Sequence, residues 1–194
     1  SVPASKYHAH RALMLASLAE GESRIKGGVA ATHVQSTIDV LTGLGTEIER
    51  PSEGFLVRGG LPYRPLRDTV SVGSSGTTLY FMIGLASLAD APVTITGQKY
   101  FQRRPVGPLL QALSSMGIEL ESANATPPIT VQPQRPRGGR VSIAGTLSQW
   151  ISGLIIVAPF ASGPTTIEVE GTLNEQPYVE LTVNMTRDFG LEVG

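Results

Sequence analysis

The stretch LASLAEG at residues 15–21 returns as LASLADA at residues 85–91 and, more loosely, as VAPFASG at residues 157–163. Each copy ends an apolar segment with helical spacing and leads into a short run of strand-forming residues. Each of these runs closes on a glycine, at Gly27, Gly97 and Gly171. Three sets of the same landmarks in one chain predict an internally repeated fold.

The second half of each copy repeats as well. Three amphipathic stretches with helical spacing, at residues 38–45, 109–117 and 179–190, each end at a glycine suited to closing a helix. These closing glycines are 72 and 73 positions apart. A strand-like segment follows each of them, at residues 46–49, 118–120 and 191–193.

Further strands complete the repeating unit. Residues 55–58 and 129–132 are typical of a final strand, and residues 69–72 and 140–143 of a leading strand. The leading strand of the first copy would precede Ser1, so we expect the chain to begin inside a unit. An ordinary doubly wound sheet, with chance resemblance between its parts, is the alternative.

The sequence therefore predicts an α/β (α+β) fold made of three pseudo-symmetric βαβαββ repeats. We expect one domain over residues 1–194, with repeats at about 1–60, 69–133 and 139–194. Two linkers rich in proline, glycine and arginine, at residues 59–67 and 133–139, separate the repeats.

Composition excludes several classes of function. The chain is 41% hydrophobic and 16% charged, yet no apolar run approaches the roughly 18 residues of a membrane span. It has no cysteine, which excludes disulfides, thiolate metal sites and a cysteine nucleophile, and is compatible with a cytoplasmic location. A net charge of −1 argues against nucleic-acid binding. The three histidines lack metal-ligand spacing, so we expect no metal.

Polar turns precede the first helix of each repeat, at residues 3–7, 73–78 and 145–149. Helix N-termini carry free N–H groups and partial positive charge, which favour anions. If the repeat symmetry brings these turns together, they form a phosphate or carboxylate pocket. Formal charge would come from Lys6, Arg11, Arg103 and Arg104. Taken singly, each turn could be only a helix cap and each cation only a solvated side chain.

Five motifs resemble those of 5-enolpyruvylshikimate-3-phosphate synthases and occur in the same order along the chain. Residues 3–6 (PASK) with 11–13 (RAL) resemble the opening PGSKS…RAL signature, and residues 73–78 (GSSGTT) resemble the GNSGTT loop. Gly97 to Arg104-Pro105 is similar to the Gly…Arg-Pro motif, residues 145–149 (GTLSQ) to the GSxSSQ turn, and Pro177-Tyr178 to the Pro-Tyr step.

The resemblance implies an enzyme of two similar domains, each built from three βαβαββ units. Such enzymes transfer the enolpyruvyl group of phosphoenolpyruvate to the 5-hydroxyl of shikimate 3-phosphate and release phosphate, in the route to aromatic amino acids. This chain would be the inserted domain. Its second domain, which carries the acid and base carboxylates, would be absent, so we expect no catalytic residue here, no turnover by this chain alone and no cofactor.

The resemblance also implies substrate-binding residues. It assigns phosphoenolpyruvate to Gly76 and Arg104, both substrates to Lys6, the space between them to Gln149, and the acceptor to Arg11, Ser148 and Tyr178. Tyr7 and Thr77 complete the expected set. A pair of cations with helix amides would offset the charge of a phosphorylated carboxylate.

Several residues depart from the family pattern. Tyr7 replaces a serine, Tyr80 an arginine, Leu147 a serine and Thr32-His33 an Asp-Asp pair. Glu175 stands where the family has a serine that contacts the acceptor's phosphate. Unless a cation such as Arg103 pairs with it, a carboxylate there would oppose a phosphate dianion. The alternative acceptor is therefore another alcohol, such as one without phosphate.

Other classes of function stay open from sequence alone. An enolpyruvyl transferase of cell-wall synthesis usually has an Ala-Lys-Asn opening and a loop cysteine, whereas this chain has Ser-Lys-Tyr and no cysteine. An RNA 3′-phosphate cyclase shares a related repeat but would need a nucleotide site, and the chain has no basic patch. A non-catalytic module that binds an anionic metabolite is the remaining alternative.

Overall fold

The computed structural model describes residues 5–28 and 31–194. The expected roles of Pro3 and Ala4 in the first turn lie outside the described residues. Helices and strands are mixed along the whole of the described chain, which confirms the predicted mixed α/β class. None of the helices in the described part of the chain is long and apolar enough to cross a membrane.

The first copy begins with a helix and ends with a strand that lies between two others. Its elements are α1 (Lys6–Leu18), β1 (Gly21–Ile25), α2 (Thr32–Gly43), β2 (Glu47–Glu49) and β3 (Phe55–Gly59). β3 pairs antiparallel with β1 on one side and with β2 on the other. Phe55 and Val57 of β3 are buried because alternate residues of a strand face the same side.

The second copy is complete. Its elements are β4 (Thr69–Ser71), α3 (Gly76–Leu85), β5 (Val93–Thr96), α4 (Gly107–Ser115), β6 (Leu120–Glu121) and β7 (Ile129–Val131). The sheet order is β4-β5-β7-β6, with β4 and β5 parallel and the other pairs antiparallel. β7 thus pairs with β5 and β6 as β3 pairs with β1 and β2. This equivalence confirms the internal repeat.

The third copy comprises β8 (Gly139–Ala144), α5 (Ser148–Val157), β9 (Thr165–Glu170) and α6 (Gln176–Asp188). β8 and β9 are parallel, as β4 and β5 are. The strand predicted at residues 191–193 is wrong: these residues form no strand, and the N–H of Leu191 donates to the carbonyl of Thr186 at 3.2 Å. β2 and β6 pair only with the final strand of their copies, and no such strand follows α6 in the described residues.

The turns that follow α2, α4 and α6 share one backbone conformation. Gly45, Gly117 and Gly190 have φ of 91°, 82° and 80°, the left-handed conformation expected where these helices end. The first linker is packed rather than loose. Tyr63 within it is 2% exposed and its hydroxyl lies 2.7 Å from Oγ of Ser17, at the end of α1.

The first helix of each copy (α1, α3 and α5) is the most buried helix of that copy. Nearly all residues of α3 and α5 are buried, because both helices are apolar all round. Gly153 lets α5 approach α3 closely: a Cβ atom there would stand 2.8 Å from the carbonyl oxygen of Tyr80. This packing of equivalent helices sets the relative positions of their N-termini.

Candidate functional site

The N-termini of α3 and α5 lie against each other. Nε2 of Gln149 donates to Oγ1 of Thr77 at 2.8 Å, joining the first turns of the two helices. A Cβ atom on Gly76 would lie 3.5 Å from Oε1 of Gln149. Gly76, Thr77 and Gln149, three of the expected binding residues, are therefore neighbours, although Gln149 is 72 positions from Thr77 along the chain.

The start of α1 joins the same end of the molecule through α5 and α6. The rings of Tyr7 and Tyr178 lie 4.6 Å apart between their centroids. One turn further along α1, Nη2 of Arg11 donates to Oγ of Ser152 in α5 at 3.3 Å. The start of α3 is thus next to that of α5, and the start of α1 is next to that of α6 and reaches α5 one turn further along.

The start of α3 offers two free amides. Oγ of Ser75 caps the helix by accepting from the N–H of Thr78 at 3.2 Å. Within residues 5–28 and 31–194, the N–H groups of Gly76 and Thr77 have no protein acceptor. Free amides at a helix N-terminus, where the helix dipole adds positive potential, favour an anion.

Two of the expected cations are exposed side chains near these helix starts. Lys6 is the first residue of α1, and its Nζ lies 5.1 Å from the ring centroid of Tyr7. Arg104 lies near Tyr80 of α3. Burial raises the pKa of the Tyr80 hydroxyl, and the positive charge of the neighbouring Arg104 opposes that rise. The Cζ atom of Arg104 also lies 5.3 Å from the ring centroid of Phe101. Both cations are exposed and carry no salt bridge in the described part of the chain.

Arg11, which the resemblance assigns to the acceptor and the polar turns to the anion pocket, is a buried side chain. It is 1% exposed and donates to Oγ1 of Thr182 at 2.7 Å, to Oγ of Ser152, and to the carbonyls of Tyr7 and Tyr178 at 3.0 and 3.1 Å. Burial lowers its pKa to about 10. Most of its N–H groups are therefore engaged by the protein, and the guanidinium joins α1, α5 and α6 from inside.

Glu175 occupies the α5 end of the site. It precedes α6, has the left-handed φ of 54°, and accepts a hydrogen bond from Oγ of Ser148 at 2.8 Å. The pairing with Arg103 considered from sequence is not formed: salt bridges in the described residues involve Arg58 and Arg140. The carboxylate thus holds the hydroxyl that begins α5.

Several polar residues near the site have roles that the sequence does not predict. Ser152 and Thr182 accept hydrogen bonds from Arg11, and His10, Thr37 and Thr78 form a buried polar chain beneath the start of α3. The one available signal was a polar side chain within an apolar helix, such as Ser152 in SQWISGLIIV. No group of three potential metal ligands occurs in the described residues.

Comparisons with known proteins point to one family. The model of a family described as EPSP synthase (3-phosphoshikimate 1-carboxyvinyltransferase) matches residues 1–194. A 3-phosphoshikimate 1-carboxyvinyltransferase of Acetivibrio thermocellus is 39% identical over 186 residues, which cover 94% of this chain and 43% of that protein. The enzyme of the same name from Nitrosopumilus maritimus is 33% identical over 192 residues, 98% of this chain and 45% of the relative.

Solved structures share the fold. EPSP synthase from Acinetobacter baumannii matches with a TM-score of 0.87 at 24% identity, over 100% of this chain and 44% of that one. The enolpyruvyl transferase NikO from Streptomyces tendae matches with a TM-score of 0.70 at 18% identity, over 96% of this chain and 43% of that one. The chain spans a little less than half the length of the relatives and structures that it matches.

Proposed function

The chain belongs to the EPSP synthase family, and we propose that it is the half of such an enzyme that holds phosphoenolpyruvate and shikimate 3-phosphate at its converging helix starts. The complete enzyme would transfer the enolpyruvyl group to the 5-hydroxyl of shikimate 3-phosphate and release phosphate. Residues 1–194 would form one domain, and a second domain would supply the groups that move protons. A cytoplasmic location belongs to the same proposal.

The observation that carries the proposal is the junction of α3 and α5, where Gln149 donates to Thr77 beside two free amides. Phosphoenolpyruvate carries a phosphate and a carboxylate, so it needs donors and positive charge on more than one side. Lys6 from α1 and Arg104 beside α3 would provide the charge, and the amides of Gly76 and Thr77 the directed hydrogen bonds. In this proposal the residues of this half bind and orient the substrates.

The acceptor would lie towards α5 and α6. Ser148 and Gln149 are in the first turn of α5, and Tyr178 in the first turn of α6. Tyr7 packs on Tyr178, so these two rings would form one wall of the acceptor pocket. Arg11 would act from beneath by holding the backbone of both tyrosines.

Titration of the chain with phosphoenolpyruvate, followed by amide chemical shifts, tests the anion site. The resonances of Gly76 and Thr77 should move most. Arg104→Gln and Lys6→Gln should each weaken binding about fivefold to tenfold, the usual effect of removing one charged hydrogen bond. The matched control is Arg140→Gln, since Arg140 is an exposed arginine of β8 paired with Glu168. Equal binding by all three variants would refute the site.

Glu175 favours a second candidate function, transfer to an alcohol without phosphate. Its carboxylate holds Ser148 and would repel a phosphate dianion at that end of the site. The affinities of shikimate and shikimate 3-phosphate for the chain distinguish the candidates. Clearly tighter binding of shikimate 3-phosphate supports the first function. Comparable affinities, with a gain for shikimate 3-phosphate in Glu175→Gln, support the second.

A further inference from the structure

A chain of four buried polar side chains runs beneath the start of α3. Nδ1 of His10 lies 2.7 Å from Oγ1 of Thr37, which lies 2.7 Å from Oγ1 of Thr78, which donates to Oγ of Ser75 at 2.7 Å. None of the four is more than 2% exposed. They come from α1, α2 and the beginning of α3, so the chain connects three helices in the first two copies.

The number of hydroxyl hydrogens determines the donor and the acceptor in each of these hydrogen bonds. A threonine hydroxyl has one hydrogen to donate. Thr78 gives its hydrogen to Ser75, so it must accept from Thr37. Because Thr37 donates its only hydroxyl hydrogen to Thr78, it must accept a hydrogen bond from His10. The imidazole is therefore the tautomer with hydrogen on Nδ1.

The environment of His10 agrees with a neutral imidazole. Burial, with the positive charges of Arg11, His33 and Lys6, lowers its pKa to about 4. Near neutral pH the ring thus has one N–H, and the neighbouring hydroxyls determine which nitrogen carries it. Hydrogen bonds aligned head to tail in a buried chain strengthen one another.

The hydrogen-bonded row that begins at His10 ends at Ser75, next to the candidate site. Ser75 is the N-cap of α3 and accepts from both the hydroxyl and the N–H of Thr78. The next two residues are Gly76 and Thr77, whose amides are free. The orientation of the Ser75 side chain therefore controls where the first turn of α3 begins and where those amides point.

We propose that His10 is a positioning residue: through Thr37 and Thr78 it orients Ser75, and thereby holds the amides of Gly76 and Thr77 ready for an anion. This role rests on the proposed function, because the anion is the phosphoenolpyruvate of that proposal. His10 itself does not touch the ligand. It supplies the fixed donor from which the order of the hydroxyl hydrogens follows.

Thr37→Val tests the proposal, since it removes the hydroxyl in the middle of the chain and keeps the shape of the side chain. In the unmodified protein, nitrogen NMR of His10 should show hydrogen on Nδ1. In Thr37→Val, the population with hydrogen on Nε2 should rise, and the N–H of Thr78 should exchange faster. Phosphoenolpyruvate should bind about tenfold more weakly, the loss of one good hydrogen bond. Thr37→Ser should restore all three properties.

The matched control is Thr94→Val, which breaks the only other threonine–threonine hydroxyl pair among the described residues, Thr94 with Thr130 at 2.9 Å. It should leave phosphoenolpyruvate affinity and the His10 tautomer unchanged, whatever its effect on stability. An Nε2–H tautomer in the unmodified protein, or unchanged Thr78 exchange and ligand affinity in Thr37→Val, would overturn the proposal. If the unmodified protein failed to bind phosphoenolpyruvate, the proposed function would fail, while the tautomer and the Thr78 exchange rate would still decide whether the chain positions α3.

Discussion

Nε of Arg11 donates to Oγ1 of Thr182 at 2.7 Å, across 171 positions of sequence. The bond joins the first helix of the chain to its last, and the same guanidinium reaches Ser152 in α5. No carboxylate lies within salt-bridge distance of Arg11 in the described residues, so hydroxyl and carbonyl oxygens hold this buried charge, together with the ring of Phe81, whose centroid is 5.2 Å from Cζ. The first and third copies are therefore locked together next to the site.

Arg11→Met should destabilise the protein by about 2–4 kcal/mol, because the carbonyls of Tyr7 and Tyr178 would lose a buried donor. Oγ1 of Thr182 lies 2.8 Å from both Oγ of Ser152 and the carbonyl oxygen of Tyr178, and its single hydrogen can be donated to only one of them. Urea unfolding measures the change. Arg140→Met, at an exposed arginine, should cost less than about 0.5 kcal/mol. Equal effects of the two variants would contradict the bracing role of Arg11.

Stability should fall as the pH drops from about 6.5 to about 4 because of His10. Its pKa is about 4 in the folded protein against 6.5 for the free side chain, lowered by burial and by Arg11, His33 and Lys6. Between these values the unfolded chain binds the additional proton, so stability is present above pH 6.5 and is lost towards pH 4. The loss attributable to this residue is about 3 kcal/mol.

Carboxylates also titrate near pH 4, so the test compares variants. His10→Gln should show a shallower loss of stability between pH 7 and pH 4 in urea unfolding than the unmodified protein. His8→Gln is the control, because His8 is exposed in the same helix. A slope unchanged by His10→Gln would show that the imidazole does not titrate in this way.

Gly76→Ala should weaken phosphoenolpyruvate binding without reducing the stability of the fold. A Cβ atom there would meet Oε1 of Gln149 at 3.5 Å and Cε2 of Tyr80 at 3.6 Å, which are ordinary contacts, so the protein should fold with nearly unchanged stability. The added methyl would stand among the groups that receive the anion, and phosphoenolpyruvate affinity should fall about tenfold or more, measured by calorimetry. Gly163→Ala, where nothing lies within 4 Å, should change neither property.

Gly153→Ala, unlike Gly76→Ala, should lower the stability of the fold. Its Cβ atom would stand 2.8 Å from the carbonyl oxygen of Tyr80, a backbone atom that can move only with α3. We expect a loss of about 1–3 kcal/mol, the usual cost of overpacking a core, measured as a lower urea midpoint. Stability equal to that of Gly163→Ala would mean that α3 and α5 separate easily.

Much of the fold could be predicted from local signals. Glycines 45, 117 and 190 do adopt the left-handed conformation, and the strand-forming run that closes on Gly97 forms β5. Periodicity and turn residues act over a few positions, so they survive in a single sequence. The strand predicted at residues 191–193 is wrong because local signals report only strand-forming residues. A strand also needs a partner strand, which these residues lack among the described residues.

The candidate site could be predicted only in outline. Polar helix starts in three equivalent turns indicated that Lys6, Gly76 and Gln149 belong together, and the link between Gln149 and Thr77 agrees with that. The burial of Arg11 could not be anticipated, because its acceptors come from helices 141 and 171 positions away.

The sequence by itself determined the repeat, the order of helices and strands, and the family, because each depends on short patterns that recur along the chain. Only the tertiary structure decided that Arg11 is an internal brace, that Glu175 holds Ser148, and that His10 is linked to Ser75. A side chain becomes buried or acquires a partner when distant helices pack around it, and that packing depends on all of them at once.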